Sequence, residues 1–154
     1  MTPTKLNTNA PPAWDDGALA DPHRQRDKAA RVEAMFDAIA PTYEKVNRLA
    51  TFGRDAAWRR RAVAAAGVRP GDIALDSCCG TGDMIRALAS AATIPKLILG
   101  LDFAAQMLAG GAYDGVATPF QLIRADAQRL PLRDACVDIV PCAFGVRHFQ
   151  NLDS

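Results

Sequence analysis

The sequence lacks any apolar run approaching the roughly 20 residues that a membrane-crossing helix requires. It also lacks the apolar stretch of an export signal near its start; residues 1–25 offer Asn, Pro, Asp and Thr instead. The cytosol is then the expected compartment, and the four cysteines are expected to be reduced. None forms a C-x-x-C pair, and adjacent Cys78 and Cys79 at a strand end would point to opposite faces. Buried structural thiols are therefore expected, and no metal site. A charge surplus is missing as well: 18 basic against 17 acidic side chains leave a formal +1, without the basic footprint of a nucleic-acid binder. Aromatics are sparse at 6%, yet hydrophobic residues reach 49%, which excludes wholesale disorder and suits one globular domain of 154 residues.

What is present divides in three. Residues 1–25, with Pro11, Pro12, Pro22, Asp15, Asp16 and Asp21, read as a solvated, disordered tail. Residues 26–68 read as a helical cap. Val32, Met35, Phe36 and Ile39 form one stripe at helical spacing, and Pro41 ends that helix or opens the next. Tyr43, Val46, Leu49 and Ala50 continue the spacing, Gly53 breaks it, and a third helix is expected over 55–66 with Gly67 as its C-cap. Residues 69–154 alternate short apolar strands (Ile73–Leu75, Leu97–Leu101, Phe120–Ile123, Val137–Val140) with helix faces at Met84, Ile85, Leu88 and at Met107, Leu108. Such alternation predicts a parallel α/β sheet.

The chemistry concentrates after the first strand. A strand ending at Asp76, the loop Cys79-Gly80-Thr81-Gly82 and then a helix form a nucleotide-site arrangement, because glycine lets backbone approach a ligand. Asp102 follows Gly80 at the end of the next strand, where a carboxylate can accept both hydroxyls of a ribose. A dinucleotide fingerprint is incomplete, since Ile85 takes the place of its third glycine, and no G-K-S/T exists for a P-loop.

Asp76-x-x-Cys79-Gly80-Thr81-Gly82-Asp83 resembles motif I of the class I S-adenosylmethionine-dependent methyltransferases, a pattern more specific than a lone G-x-G. Leu99-Gly100-Leu101-Asp102-Phe103 resembles the family's second motif, whose acid binds the ribose, and Arg124-Ala125-Asp126-Ala127 its third, which meets the adenine. The blocks Tyr43-Glu44-Lys45-Val46-Asn47, Thr51-Phe52-Gly53 with Trp58, and Phe144-Gly145-Val146-Arg147 resemble the C-methyltransferases of menaquinone and ubiquinone biosynthesis. Departures are Glu44, Asp55, His148 and Ala143, the last at a cofactor position often held by a hydroxyl residue. The resemblance implies a Rossmann-like sheet, S-adenosylmethionine as cofactor, and a polyprenyl naphthoquinol or benzoquinol as methyl acceptor. It assigns Asp76, Gly80, Thr81, Gly82, Asp102, Phe103, Asp126, Ala127 and Ala143 to the cofactor. It also implies seven strands, of which only strands 1–4 fall within this chain, so half of a larger sheet is expected.

Carbon methylation of a quinol needs a ring hydroxyl deprotonated, so a base or a phenolate-stabilising group is sought among Arg147, His148 and Tyr43. The bland alternatives are a surface salt bridge, an incidental histidine and core packing, respectively. Arg54, Arg59, Arg60 and Arg61 around Trp58 suit either a solvated helix face or peripheral docking on anionic lipid. An apolar fourth strand at the sheet edge is expected to promote self-association. A truncated, inactive cofactor-binding module and a methyltransferase for another small molecule are the competing functions.

Overall fold

The computed structural model describes residues 14–150. Helices α1 (Asp16–Ala20), α2 (Lys28–Ile39), α3 (Tyr43–Ala50) and α4 (Asp55–Ala66) precede the sheet. Strands β1 (Ile73–Ser77), β2 (Leu97–Asp102) and β3 (Phe120–Arg124) then alternate with α5 (Asp83–Ala89) and α6 (Ala105–Ala109). The stripe of α2 runs to Ile39, and Pro41 enters a 3-10 turn, Ala40–Thr42, because proline has no N–H for a helix interior and its ring clashes with the preceding turn. Gly67 ends α4 in the left-handed region at φ 64, as a C-cap glycine should.

The three strands pair in parallel, in the order β1-β2-β3. Alternation divides the core between the two faces of the sheet. Ala74 and Ile98 pack with Met84, Ile85 and Leu88 of α5 and Val63 of α4. Leu75, Leu99 and Leu101 pack with Ile123, Leu132 and Val137 on the other side. The cap sits near the C-terminal end of β2: Ala40, Phe36 and Tyr43 meet Ala104, Met107 and Phe103. Polar ties hold it there. Lys28 Nζ donates to the Phe149 carbonyl, Gln150 Nε2 donates to the Gln25 carbonyl at 3.1 Å, and Arg124 pairs with Glu33 at 2.8 Å.

Four expectations need correction. The fourth strand is a single parallel bridge, Ala74 to Ile139, rather than a ladder. The segment still runs beside β1, with Leu75 N donating to Ile139 O at 2.8 Å and Ser77 N to Pro141 O at 2.9 Å. It stops there because the Asp138 carboxylate, not a backbone carbonyl, accepts from Ile73 N, and Pro141 has no N–H to give. The tail is shorter than expected, since Asp16–Ala20 is helical and Arg31 lies over the Trp14 ring at 5.7 Å; residues 1–13 lie outside the described ones. The α3 helix forms, but its apolar face stays uncovered, with Val46 60% and Leu49 77% exposed. Finally, only Cys79 of the four free thiols is buried; Cys78, Cys136 and Cys142 are half-buried.

Candidate functional site

The glycine loop turns because three of its residues sit at positive φ: Cys78 at 62, Gly80 at 54 and Gly82 at 86. It hangs from the end of β2, where Cys79 N donates to Leu101 O at 2.9 Å and Gly80 N to Asp102 Oδ2 at 2.8 Å. Asp102 Oδ1 accepts from Ala104 N at 2.9 Å, so this carboxylate fixes both the loop and the start of α6. Burial raises its pKa, and the backbone N–H groups of Ala104 and Gly80 oppose that shift. Each oxygen retains a lone pair for a further donor. A Cβ at Gly80 would project into open space with nothing within 4 Å, which leaves the loop backbone bare toward the cleft.

That cleft opens to solvent beyond the C-terminal strand ends. Gly80, Asp102, Phe103, Asp126, Ala127 and Ala143 line it, together with Tyr43 and His148. Asp126 is exposed there, and its Oδ1 accepts from Gln128 N at 2.9 Å. Asp76 and Thr81 face an adjoining recess that shares Tyr43, Gly80 and Ala143 with the cleft. Asp76 is 1% exposed, and neither of its carboxylate oxygens has a partner among the described residues. Desolvation first, and negative neighbours second, push its pKa well above the carboxylate range. Gly82 is turned away, its Cα covered by the Tyr113 ring, so it serves the turn.

The three acid–base candidates separate. His148 lines the cleft, in edge contact with Phe36 at 5.1 Å, and burial followed by Arg147 and Lys28 lowers its pKa. Arg147 is exposed and donates from Nε to His148 Nε2 at 3.1 Å. The imidazole is then neutral, with its proton on Nδ1. Tyr43 stands between recess and cleft, and burial raises its pKa against the pull of Arg59 and Arg147. Among the described residues no group of three or more His, Cys, Asp or Glu is placed to hold a metal ion.

Arg59 was missed as a site residue. Its expected place was in a solvated or lipid-facing cluster, but it is 7% exposed and lines the recess. It pairs with Asp55 at 2.5 Å and Asp83 at 3.2 Å, and its guanidinium lies over the Phe144 ring at 5.6 Å. The i,i+4 spacing of Asp55 and Arg59 was the available signal. Cys78 was also missed. The neighbouring Cys142 thiol raises the Cys78 pKa, and Cys78 lowers that of Cys142. Both sulfurs crowd Gly145, where a Cβ would lie 2.6 Å from Cys78 Sγ and 3.1 Å from Cys142 Sγ.

A parallel sheet with a glycine loop after β1 and a strand-end acid on β2 defines an α/β cofactor-binding domain of the Rossmann-like methyltransferase kind. Solved structures share that fold. A putative S-adenosyl-L-methionine-dependent methyltransferase from Methanococcus maripaludis aligns with a TM-score of 0.57 at 19% identity, over 82% of this chain and 54% of that one. A putative methyltransferase solved with the Haloferax volcanii Trm112 activator aligns at 0.55 and 28%, over 70% and 46%. The chain belongs to the ubiE/COQ5 methyltransferase family, whose sequence pattern matches residues 24–154. The demethylmenaquinone methyltransferase of Bacillus mycoides is 38% identical over 130 residues, 82% of this chain and 55% of the relative. That of Bacillus cereus strain AH187 is 36% identical over the same shares. The chain thus spans about half the length of the curated relatives it matches.

Proposed function

We propose that this chain binds S-adenosylmethionine and serves methyl transfer to a ring carbon of a demethylated quinol, a naphthoquinol of the demethylmenaquinol type in keeping with its relatives' name. The observation that carries the reading is the unpartnered Asp76 carboxylate, buried beside the glycine loop. A buried acid without a donor fits an incoming ammonium, and the cofactor's amino-acid end has one. Asp102 takes the ribose hydroxyls, Asp126 and the Ala127 backbone meet the adenine, and Phe103, Thr81 and Ala143 shape the walls. Gly80 and Gly82 shape the loop. When bound, the sulfonium supplies an activated methyl group to a nucleophile held in line.

The protein's share in the reaction is mostly positioning. His148, neutral and donating through Nδ1, suits a phenolate oxygen, and Arg147 fixes its tautomer. To take the phenol proton at Nε2, His148 must first release Arg147. Tyr43 lines both recess and cleft, and so borders the amino-acid and the nucleoside ends of the cofactor.

Calorimetry of the purified chain with S-adenosylmethionine tests the first step, and methyl transfer to a demethylated quinol the second. Binding is expected, and Asp102→Ala should weaken it tenfold or more, on the scale of lost charge-assisted hydrogen bonds. Unchanged affinity in that variant would sink the ribose assignment. Binding without turnover would mark a cofactor-binding module, and turnover on another small phenol would redirect the acceptor.

A further inference from the structure

Two thiols from separate parts of the chain converge at the cleft, and the reaction above uses neither. Cys78 opens the glycine loop after β1 and lines both cleft and recess. Cys142 follows Pro141 in the segment beside β1, which continues along the same cleft through Ala143, Phe144, Gly145 and His148. The two sulfurs meet over Gly145. A Cβ on that glycine would lie 2.6 Å from Cys78 Sγ and 3.1 Å from Cys142 Sγ, so a residue without a side chain leaves them a common space. Both thiols are half-buried and within reach of a small molecule, whereas Cys79 is buried in the core against α5. Their acidities differ in a direction that divides the work. Cys78 lowers the Cys142 pKa, burial opposes it, and the N–H groups of Gly145 and Val146 add to the lowering. The Cys142 thiol and then burial raise the pKa of Cys78. The thiolate is the nucleophile, so Cys142 is the one to attack and Cys78 the one to answer it.

We propose that Cys78 and Cys142 form an oxidation site, a dithiol that hydrogen peroxide converts to a disulfide stapling the glycine loop to the 142–148 segment. The Cys142 thiolate attacks one peroxide oxygen. The O–O bond breaks, hydroxide leaves and takes up a proton as water, and Cys142 becomes a sulfenic acid. Cys78 then attacks the Cys142 sulfur. The S–S bond forms as the S–O bond breaks, and the departing hydroxide takes the Cys78 proton as a second water. The sulfurs lose the two electrons that the peroxide gains. A disulfide holds its sulfurs about 2.05 Å apart. As free thiols the two stand further apart than that, so bonding draws the walls of the cleft together. The closed cleft then admits its ligand less readily. That last consequence rests on the S-adenosylmethionine reading above; the disulfide itself does not.

Peptide mapping by mass spectrometry after treatment with equimolar hydrogen peroxide tests the bond. An intramolecular Cys78–Cys142 disulfide is expected, formed equally in Cys136→Ser and reversed by dithiothreitol. Disulfides through Cys136 or between chains, or Cys142 oxidised past the sulfenic stage with Cys78 left free, overturn the proposal. Calorimetry with S-adenosylhomocysteine reads the closure. The oxidised chain should bind roughly tenfold more weakly than the reduced chain, and dithiothreitol should restore the affinity. Cys142→Ser should keep its affinity through the peroxide treatment. Full affinity in the oxidised chain, or a loss that persists in Cys142→Ser, overturns the closure. The mapping uses the unaltered chain and stands even where a variant fails to fold. A reduced chain that does not bind S-adenosylhomocysteine refutes the cofactor reading, and the mapped bond still decides this one.

Discussion

Asp76 is placed where it harms the fold and serves the site. Its carboxyl is buried without a donor among the described residues, and desolvation raises its pKa well above the usual range. The sign follows. An acid whose folded pKa is raised is neutral in both states below its unfolded value of roughly 3.9, so the ionisation penalty is absent there. The penalty grows as pH rises from that value to the folded pKa and then levels off. Asp76→Asn should therefore leave stability at pH 3.5 nearly unchanged. At pH 7 it should gain on the order of 2 kcal/mol, roughly 4–8 °C in Tm. The same variant should bind S-adenosylhomocysteine at least tenfold more weakly, since the charged acceptor for the ammonium is gone. Thermal melts across pH with matched calorimetry check both halves. A variant with no gain at pH 7, or with full affinity, would count against this account.

At the scale of elements, the contact between α5 and β2 depends on a residue with no side chain. A Cβ at Gly100 would lie 2.6 Å from Ile85 Cδ1, 3.0 Å from Leu122 Cδ2 and 3.2 Å from Cys79 Sγ. Since Ile85 is fully buried, it has little room to yield. Gly100→Ala should cost about 1–3 kcal/mol by overpacking. Ile85→Val shortens the clashing branch, so the double variant should lose less than the sum of the singles. Strict additivity in denaturant unfolding would refute the contact. The sequence made these elements legible because their periodicities are strong: the α2 stripe, the Gly67 cap and the three apolar strands stand within a residue or two of expectation. The segment 137–140 was apolar enough to read as a strand. Its fate was decided by Asp138 capturing a β1 amide and by Pro141 lacking one, which periodicity cannot register.

Over the whole molecule, the site was legible where it lay in sequence-local motifs and obscure where it was assembled from afar. Asp76, Gly80 and Asp102 were expected from a strand end and its glycine loop, and Asp126 from the resemblance; the structure brings the last three to one cleft and Asp76 to the adjoining recess. Arg59 was not, because its burial comes from Asp83 and Phe144, distant in sequence. Removing Arg59 from the basic cluster alters the expected lipid contact. The remaining cations, Arg54, Arg60 and Arg61, are exposed, as are Arg48, Val46, Leu49 and Trp58, with Phe52 at 89%. No helix among the described residues is long and apolar enough to cross a membrane. A basic surface with apolar side chains on it fits the face of an anionic bilayer, where a polyprenyl acceptor would reside. In vesicle co-sedimentation the chain should bind anionic lipid at least fivefold more than neutral lipid, and Leu49→Glu should reduce the binding. Equal binding to both lipids would remove that proposal. Without vesicles, sedimentation should shift with concentration as the sheet edges pair. A monomer at every concentration would rule the pairing out.

The tie between Lys28 and the Phe149 carbonyl joins positions 121 residues apart. Lys28 is 3% exposed, on a helix that leaves a ribosome before any strand of the sheet. Its acceptor is made 121 residues later. Arg124, which holds Glu33 on the same helix, also comes late. During synthesis α2 can coil but cannot settle, because the partners that fix its place do not yet exist. The strands of the sheet lie far closer together in sequence than these ties, so closing the cradle costs less chain entropy than fixing its cover.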